Sequence, residues 1–203
     1  ITNNHCFQVG SMLAKMHLAS KDFKLSRQND LAVKDFENLF NKFKHLLDDY
    51  DPILNKLITS TLKQLNANWK TDLEASSCHL DLFPDNVFFD EKNQISGVID
   101  FYFSANDLLI YDFAITVNAW CFDKTHFNFD KFEALLNSYQ KIKPFNSKEL
   151  NFLETALIAG AMRFLLTRLH DMFFTPKESL VKIKNPIEYK EKLLFFINNK
   201  IFK

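Results

Sequence analysis

Apolar residues recur at intervals of three and four along most of the chain, and each sustained run of that pattern predicts a helix. Cys6, Val9, Leu13 and Met16 place one over residues 5–18, while Val33, Phe36, Phe40, Phe43, Leu47 and Tyr50 place a second over 33–50 with its charges on the solvated face. Asp51-Pro52 supplies a cap and a first-turn proline for a third, running to about Trp69, which reads as a packing residue. Further helices are predicted over about 110–122, with Phe113, Val117 and Trp120 on one face, and over 131–142, 147–173 and 187–201. Asn146 followed three residues on by Glu149 is a capping signal for the longest, whose apolar stripe is Leu150, Leu153, Leu157, Phe164 and Leu165. The period changes at one place. Val87-Phe88-Phe89 and Ile95 to Ile99 are short apolar runs joined by the polar turn 90–94, the pattern of a hairpin. Residues 101–109 read as a loop. The fold class is therefore α+β, mainly helical, with one short β-hairpin.

Composition narrows the class without choosing a function. At 203 residues the chain can bury a sizeable core as one domain. Lys plus Arg equals Asp plus Glu at 25 each, so no global positive field would attract nucleic acid or an anionic membrane. The three cysteines, Cys6, Cys78 and Cys121, are scattered and lack metal-ligand spacing, which fits reduced thiols in the cytoplasm. The apolar stretch 156–166 is interrupted by Arg163 and is too short to span a bilayer, so no membrane partner is expected. With only three glycines and five prolines, most of the chain should be regular structure.

The hairpin carries the candidate chemistry. The segment from His79 to Phe101 contains H-x-D-x-x-x-x-N, with His79, Asp81 and Asn86, and its second apolar run leads into Asp100. Phosphoryl transfer needs a carboxylate to accept or orient the attacking hydroxyl and oxygen ligands for the Mg²⁺ that neutralises the phosphates; protein kinases use an Asp, an Asn five residues later and a further Asp. A hairpin would bring Asn86 and Asp100 to one end, as a shared metal site requires. His17 falls on the first helix with no carboxylate or second His at a useful offset, which makes it a packing residue. Asp112 is a first-turn charge favoured by the dipole of its helix.

HLDLFPDNVFFD and GVIDFYFSANDLLIYDFAITVNAWC resemble the catalytic core of the aminoglycoside phosphotransferase and choline kinase superfamily, and within it most closely the bacterial homoserine kinases of that type. GAMRFLLTRLHDMF and KNPIEYKEKL are similar to the same family's C-terminal helices, so the likeness covers nearly the whole chain. The resemblance implies a kinase-like C-terminal lobe that uses ATP and Mg²⁺, with Asp81 as base or orienter, His79 supporting the loop, and Asn86 with Asp100 as metal ligands. It also implies that Asp112 holds the catalytic loop's backbone in shape. The family's G-x-x-L-A-x-x-H segment, here Gly10 to His17, follows a small nucleotide-gripping lobe, so that lobe is expected to lie outside residues 1–203 and to be this one's partner.

The resemblance implies L-homoserine as substrate and O-phosphohomoserine, for threonine biosynthesis, as product. The residues alone establish less: an aminoglycoside, choline or a sugar would serve the same loop, and a non-catalytic remnant of a kinase would keep the same motif. An amino-acid acceptor needs a cation for its carboxylate and an anion for its ammonium. Arg163 or Arg168 and Asp107 or Asp171 are available, with Tyr102, Asn106 and Asn118 as further substrate candidates. Arg163 and Arg168 stand five residues apart, roughly 140° around a helix, so they are not expected to reach one ligand from a straight helix. Two positions depart from the resembled pattern: Leu80 stands where these kinases usually have Gly, and Ala119 where the homoserine kinases tend to carry Asp.

Overall fold

The computed structural model describes residues 1–176, 178–180 and 182–202. Helix α1 (Asn3–Ala19) opens on a capping box in which Thr2 and His5 satisfy each other's backbone, and it buries Cys6, Val9, Gly10, Leu13, Ala14 and His17 on one face. Residues 33–50 do not form the single predicted helix. A turn of 3₁₀ helix (Val33–Asp35) leads into α2 (Phe36–Asn41) and then α3 (Lys44–Tyr50), because Phe43 leaves helical geometry at φ −127° and ψ 3°. The break lets Phe40 and Phe43 both turn inward, edge to face at 5.7 Å, with Phe43 stacked on Phe173 at 5.9 Å. Helix α4 (Pro52–Asn68) is capped by Asp51, whose carboxylate accepts from the Leu54 amide.

Strand β1 (Ala75–Cys78) precedes the segment that carries His79, Asp81 and Asn86, and β2 (Val87–Phe89) with β3 (Ile95–Val98) forms the predicted hairpin. The expected loop 101–109 is instead a 3₁₀ turn (Phe101–Phe103) and a strand, β4 (Ala105–Leu108), antiparallel to β1. Helix α5 (Leu109–Trp120) is buried on nearly every side. The short strands β5 (Phe122–Asp123) and β6 (His126–Phe127) lead to α6 (Phe129–Ile142), α7 (Ser147–Phe174) and α8 (Ile187–Asn198), the last stopping short of the predicted residue 201.

Two helix contacts organise the core. Helix α7 crosses α5 where Gly160 faces Ala114, Ile115 and Asn118. Helix α7 has 28 residues and is long and apolar enough to cross a bilayer, unlike the shorter run read from the sequence; 67% of its most apolar window is instead buried inside the protein, the behaviour of a central core helix. Helix α1 seats against α6 at Gly10. A Cβ built there would lie 2.2 Å from the Leu135 carbonyl oxygen and 2.2 Å from Ser138 Oγ, so the backbone itself leaves no room.

Gly10→Ala should therefore lower stability by about 1–3 kcal/mol or more through overpacking. Urea unfolding of the two proteins checks this, and an unchanged midpoint would show that α1 and α6 can separate at no cost.

Candidate active site

The segment from β1 to β2 is shaped by one carboxylate. Asp112, in the first turn of α5 and fully buried, accepts from the His79 amide (2.8 Å) and the Leu80 amide (2.7 Å), one on each oxygen. His17 Nε2 lies 3.0 Å from Asp112 Oδ2, and its Nδ1 lies 2.7 Å from the Tyr139 hydroxyl. His17 is thus not simple packing, as read from the sequence; its carboxylate partner comes from a helix 95 residues away. Burial works to raise the Asp112 carboxyl, and the His17 hydrogen bond with the surrounding donors outweighs it, holding the group below its ordinary 3.8. His17, Cys78 and Asp112 come within 4.8 Å of one another. Their donor atoms already face one another, the loop amides or the Asp107 carbonyl, which makes this a hydrogen-bonded core cluster and not a metal site.

The clamp holds an unusual backbone. Leu80 sits at φ 62° in the left-handed region with its side chain buried, a conformation that costs a non-glycine residue about 1–2 kcal/mol. Its amide is fixed by Asp112, and its carbonyl accepts from Arg163 Nη1 at 2.8 Å. The remaining polar groups close on one another. His79 Nε2 donates to the Ile99 carbonyl (3.0 Å), so its Nδ1 accepts from the Asp81 amide (3.2 Å). Asn86 Nδ2 donates to the Asp81 carbonyl (2.8 Å), the Ile99 amide donates to the Asn86 carbonyl (3.0 Å), and Trp120 Nε1 donates to the Leu82 carbonyl (2.7 Å).

The carboxylate of Asp81, the side-chain oxygen of Asn86 and the carboxylate of Asp100 have no hydrogen-bond or ion-pair partner among the described residues. The hairpin register pairs Val87 with Val98, which puts Asn86 beside Ile99 and next to Asp100, itself left-handed at φ 63°. Burial pushes the Asp81 carboxyl above its ordinary 3.8, with Arg163 and His79 pulling it down and Asp100 pushing it up. Oxygen donors of this kind fit a small hard cation such as Mg²⁺.

The substrate candidates divide. A cavity of about 260 Å³ opens over Asp81 and is lined by Phe103, Arg163, Arg168, Asp171 and Lys184, among others. Both arginines reach it, contrary to the angular argument, because their length makes up for the turn of the helix. Asp107 faces elsewhere: it accepts from Asn29 Nδ2 at 2.6 Å and lines a separate hollow with Trp69 and Asn106. Asn106 is tied to Arg27 through its side-chain oxygen and its amide, and Tyr102 is 72% exposed with Arg27 over its ring. Asn118 cannot contact a substrate. It is fully buried, its Nδ2 donates to the Ala114 and Leu157 carbonyls, and its own carbonyl accepts from Lys192 Nζ. Ala119 is half-buried and packs against the core. Lys184, on the segment before α8, was not singled out by any periodicity; only the folded chain brings it to the cavity.

Residues 1–145 match the phosphotransferase enzyme family. The homoserine kinase of Bartonella henselae is 46% identical over 195 residues, covering 96% of this chain and 61% of that protein. That of Rhizobium etli is 44% identical over 192 residues, covering 94% and 60%. The chain thus spans about three fifths of the length of the curated relatives it matches. Among solved structures, an amicoumacin kinase in complex with AMP-PNP, Ca²⁺ and Ami aligns at TM-score 0.67 with 13% identity, covering 98% of this chain and 60% of that one. A Plasmodium vivax ethanolamine kinase aligns at 0.62 with 16% identity, covering 96% and 59%. The expected kinase-like helical fold is the fold observed.

Replacing Asp112 with Asn should cost about 3–5 kcal/mol at neutral pH, since buried donors lose their charged acceptor. Because the folded pKa of Asp112 is depressed, its contribution is complete above the unfolded value near 4 and disappears as pH falls through the lower folded value. Urea midpoints measured from pH 7 to pH 2 should converge for wild type and Asp112→Asn at the acid end. Equal midpoints at pH 7 would remove Asp112 from its place in the structure.

Proposed function

The chain belongs to the phosphotransferase enzyme family, and we propose that it transfers the γ-phosphoryl group of ATP to the hydroxyl of L-homoserine, making O-phospho-L-homoserine for threonine biosynthesis. The observation that carries the reading is the set of three oxygen-bearing side chains, Asp81, Asn86 and Asp100, whose oxygens are left unengaged while the backbone around them is held. The choice of homoserine among hydroxyl acceptors is supported by relatives of that name at 44–46% identity.

Asp81 accepts the proton of the acceptor hydroxyl, or orients it, from the floor of the cavity. Phosphoryl transfer depends on position and electrostatics more than on covalent help from the protein. The rigid loop serves position: the Asp81 backbone is held on both sides, by His79 and by Asn86. When bound with ATP, Mg²⁺ would supply the charge that offsets the phosphates, and Asn86 Oδ1 with the Asp100 carboxylate would hold it. In this reading a nucleotide-gripping lobe from residues outside these 203 completes the donor side. Three free, buried cysteines support a cytoplasmic setting.

Asp81→Asn should keep the fold and lower turnover by roughly 10²- to 10⁴-fold. Since burial raises the Asp81 pKa, the acid limb of kcat/KM in the wild type should lie above 3.8, activity falling as the carboxylate takes up a proton. Wild-type turnover by the Asn variant would end the proposed role of Asp81.

Asp100→Ala should weaken the Mg²⁺ dependence of turnover more than Asn86→Ala, because it removes a charge as well as a ligand atom. Magnesium titrations of both variants, with the protein expressed from its whole coding sequence, check this. The same preparation assayed on homoserine, choline, aminoglycosides and simple sugars tests the substrate, and equal use of choline would overturn homoserine.

A further inference from the structure

The cavity over Asp81 is electrically lopsided. Arg163, Arg168, Lys182 and Lys184 line it, against Asp81 and Asp171. Arg168 is compensated, since its Nη1 donates to Glu188 Oε2 at 2.8 Å and to the Asn185 carbonyl at 2.9 Å. Lys184 lies 3.7 Å from Asp85 at an exposed position, where charge is cheaply solvated. Arg163 differs from both. It is 1% exposed, forms no ion pair among the described residues, gives Nη1 to the neutral Leu80 carbonyl, and leaves its buried Nε without a partner. A guanidinium cannot shed its proton to escape such a place; the nearby Asp81 carboxylate feels its charge without forming an ion pair with it, and a buried charge with no hydrogen-bonded counter-ion is costly. The faces of Phe103 and Phe164, 5.6 and 5.1 Å from the guanidinium carbon, hold it in the cavity wall.

We propose that Arg163 binds the carboxylate of the acceptor substrate and sets the enzyme's preference for a hydroxy amino acid over an amino alcohol; this rests on reading the site as a small-molecule kinase with Asp81 at the acceptor hydroxyl. A planar fork matches a carboxylate in two parallel hydrogen bonds. In homoserine three carbons separate the hydroxyl oxygen from the carboxylate, so a group that faces Asp81 at one end can meet Arg163 at the other within the same small cavity. The cavity of about 260 Å³ lies just under the range of about 300–1,000 Å³ that holds drug-sized ligands. Asp171 is eight residues further along α7, about 12 Å on the helix axis, and sits at the rim; it does not share an α-carbon with Arg163. A choline or aminoglycoside cation would have to rest beside a guanidinium that has no ion-pair partner among the described residues, which disfavours both.

Arg163 also holds the Leu80 carbonyl, so its loss should slow every acceptor, and the test compares acceptors within one variant. The protein from the whole coding sequence is assayed on L-homoserine and on 3-aminopropan-1-ol, the same molecule without the carboxylate. Wild type should favour homoserine by about 10²-fold or more in kcat/KM, because a site built around a charged contact rejects the analogue lacking it. In Arg163→Gln that ratio should collapse towards unity, and Arg163→Lys should restore part of it. A wild-type ratio near one, or a ratio preserved in Arg163→Gln, would overturn the assignment and leave Arg163 as a loop support. If wild type phosphorylates neither compound, the homoserine reading fails by itself. The carboxylate assignment is then judged by calorimetric titration with 4-hydroxybutyrate and with butan-1-ol: acid-selective binding that Arg163→Gln abolishes supports it, and no selectivity, or selectivity that survives the substitution, overturns it.

Discussion

A single buried carboxylate decides where the loop from His79 to Asn86 lies. Asp112 gathers two consecutive loop amides and a histidine from the first helix onto its two oxygens, joining α1, α5 and the end of β1 at one point. Those amides would otherwise have no partner in a water-free place, and an unsatisfied buried donor costs about 1–3 kcal/mol. The loop can therefore enter the core only along the path that presents its N–H groups to Asp112. Tyr139 on α6 backs the histidine, so the arrangement ends in a fourth element.

From that anchor the rest follows by exhaustion of partners. Arg163 and Trp120 take the Leu80 and Leu82 carbonyls, and His79 and Asn86 close the loop onto the strand that leads to Asp100. Backbone groups engaged in this way cannot wander, and the oxygens of Asp81, Asn86 and Asp100 are left over. The hairpin has a second support, since Gln8 on α1 donates to the Asn93 carbonyl and accepts from the Ile95 amide. Helix α1 thus steadies the metal-ligand candidates from one end and the acceptor candidate, through His17, from the other.

What was legible in the sequence was local. The hairpin and the Asn146–Glu149 cap each lie within a few residues of their partners, and the structure places them as read. Position 43 was not legible, because the helix breaks there to meet Phe173, 130 residues on. Strand β1 has the sequence Ala-Ser-Ser-Cys, with no alternation to announce it, and forms only because β4 offers its edge. Asn118 reads as a polar residue available to a ligand, yet it is fully buried, its amide nitrogen serving α5 and α7 and its backbone carbonyl α8. Arg163 and Arg168 have the same side chain on the same helix, and only Glu188, on the following helix, sets their charges apart.

Residue 80 answers two opposed demands at once. Its backbone, at φ 62°, favours glycine, while its side chain fills a fully closed space in the core. The left-handed strain is about 1–2 kcal/mol, whereas full burial of a leucine contributes about 1.5–3 kcal/mol and its removal would also leave a cavity in the core. Glycine would relax the backbone and forfeit the packing, so leucine is kept here by what its side chain fills. The bend itself is carried by Asp112 and Arg163, which hold the peptide groups on either side.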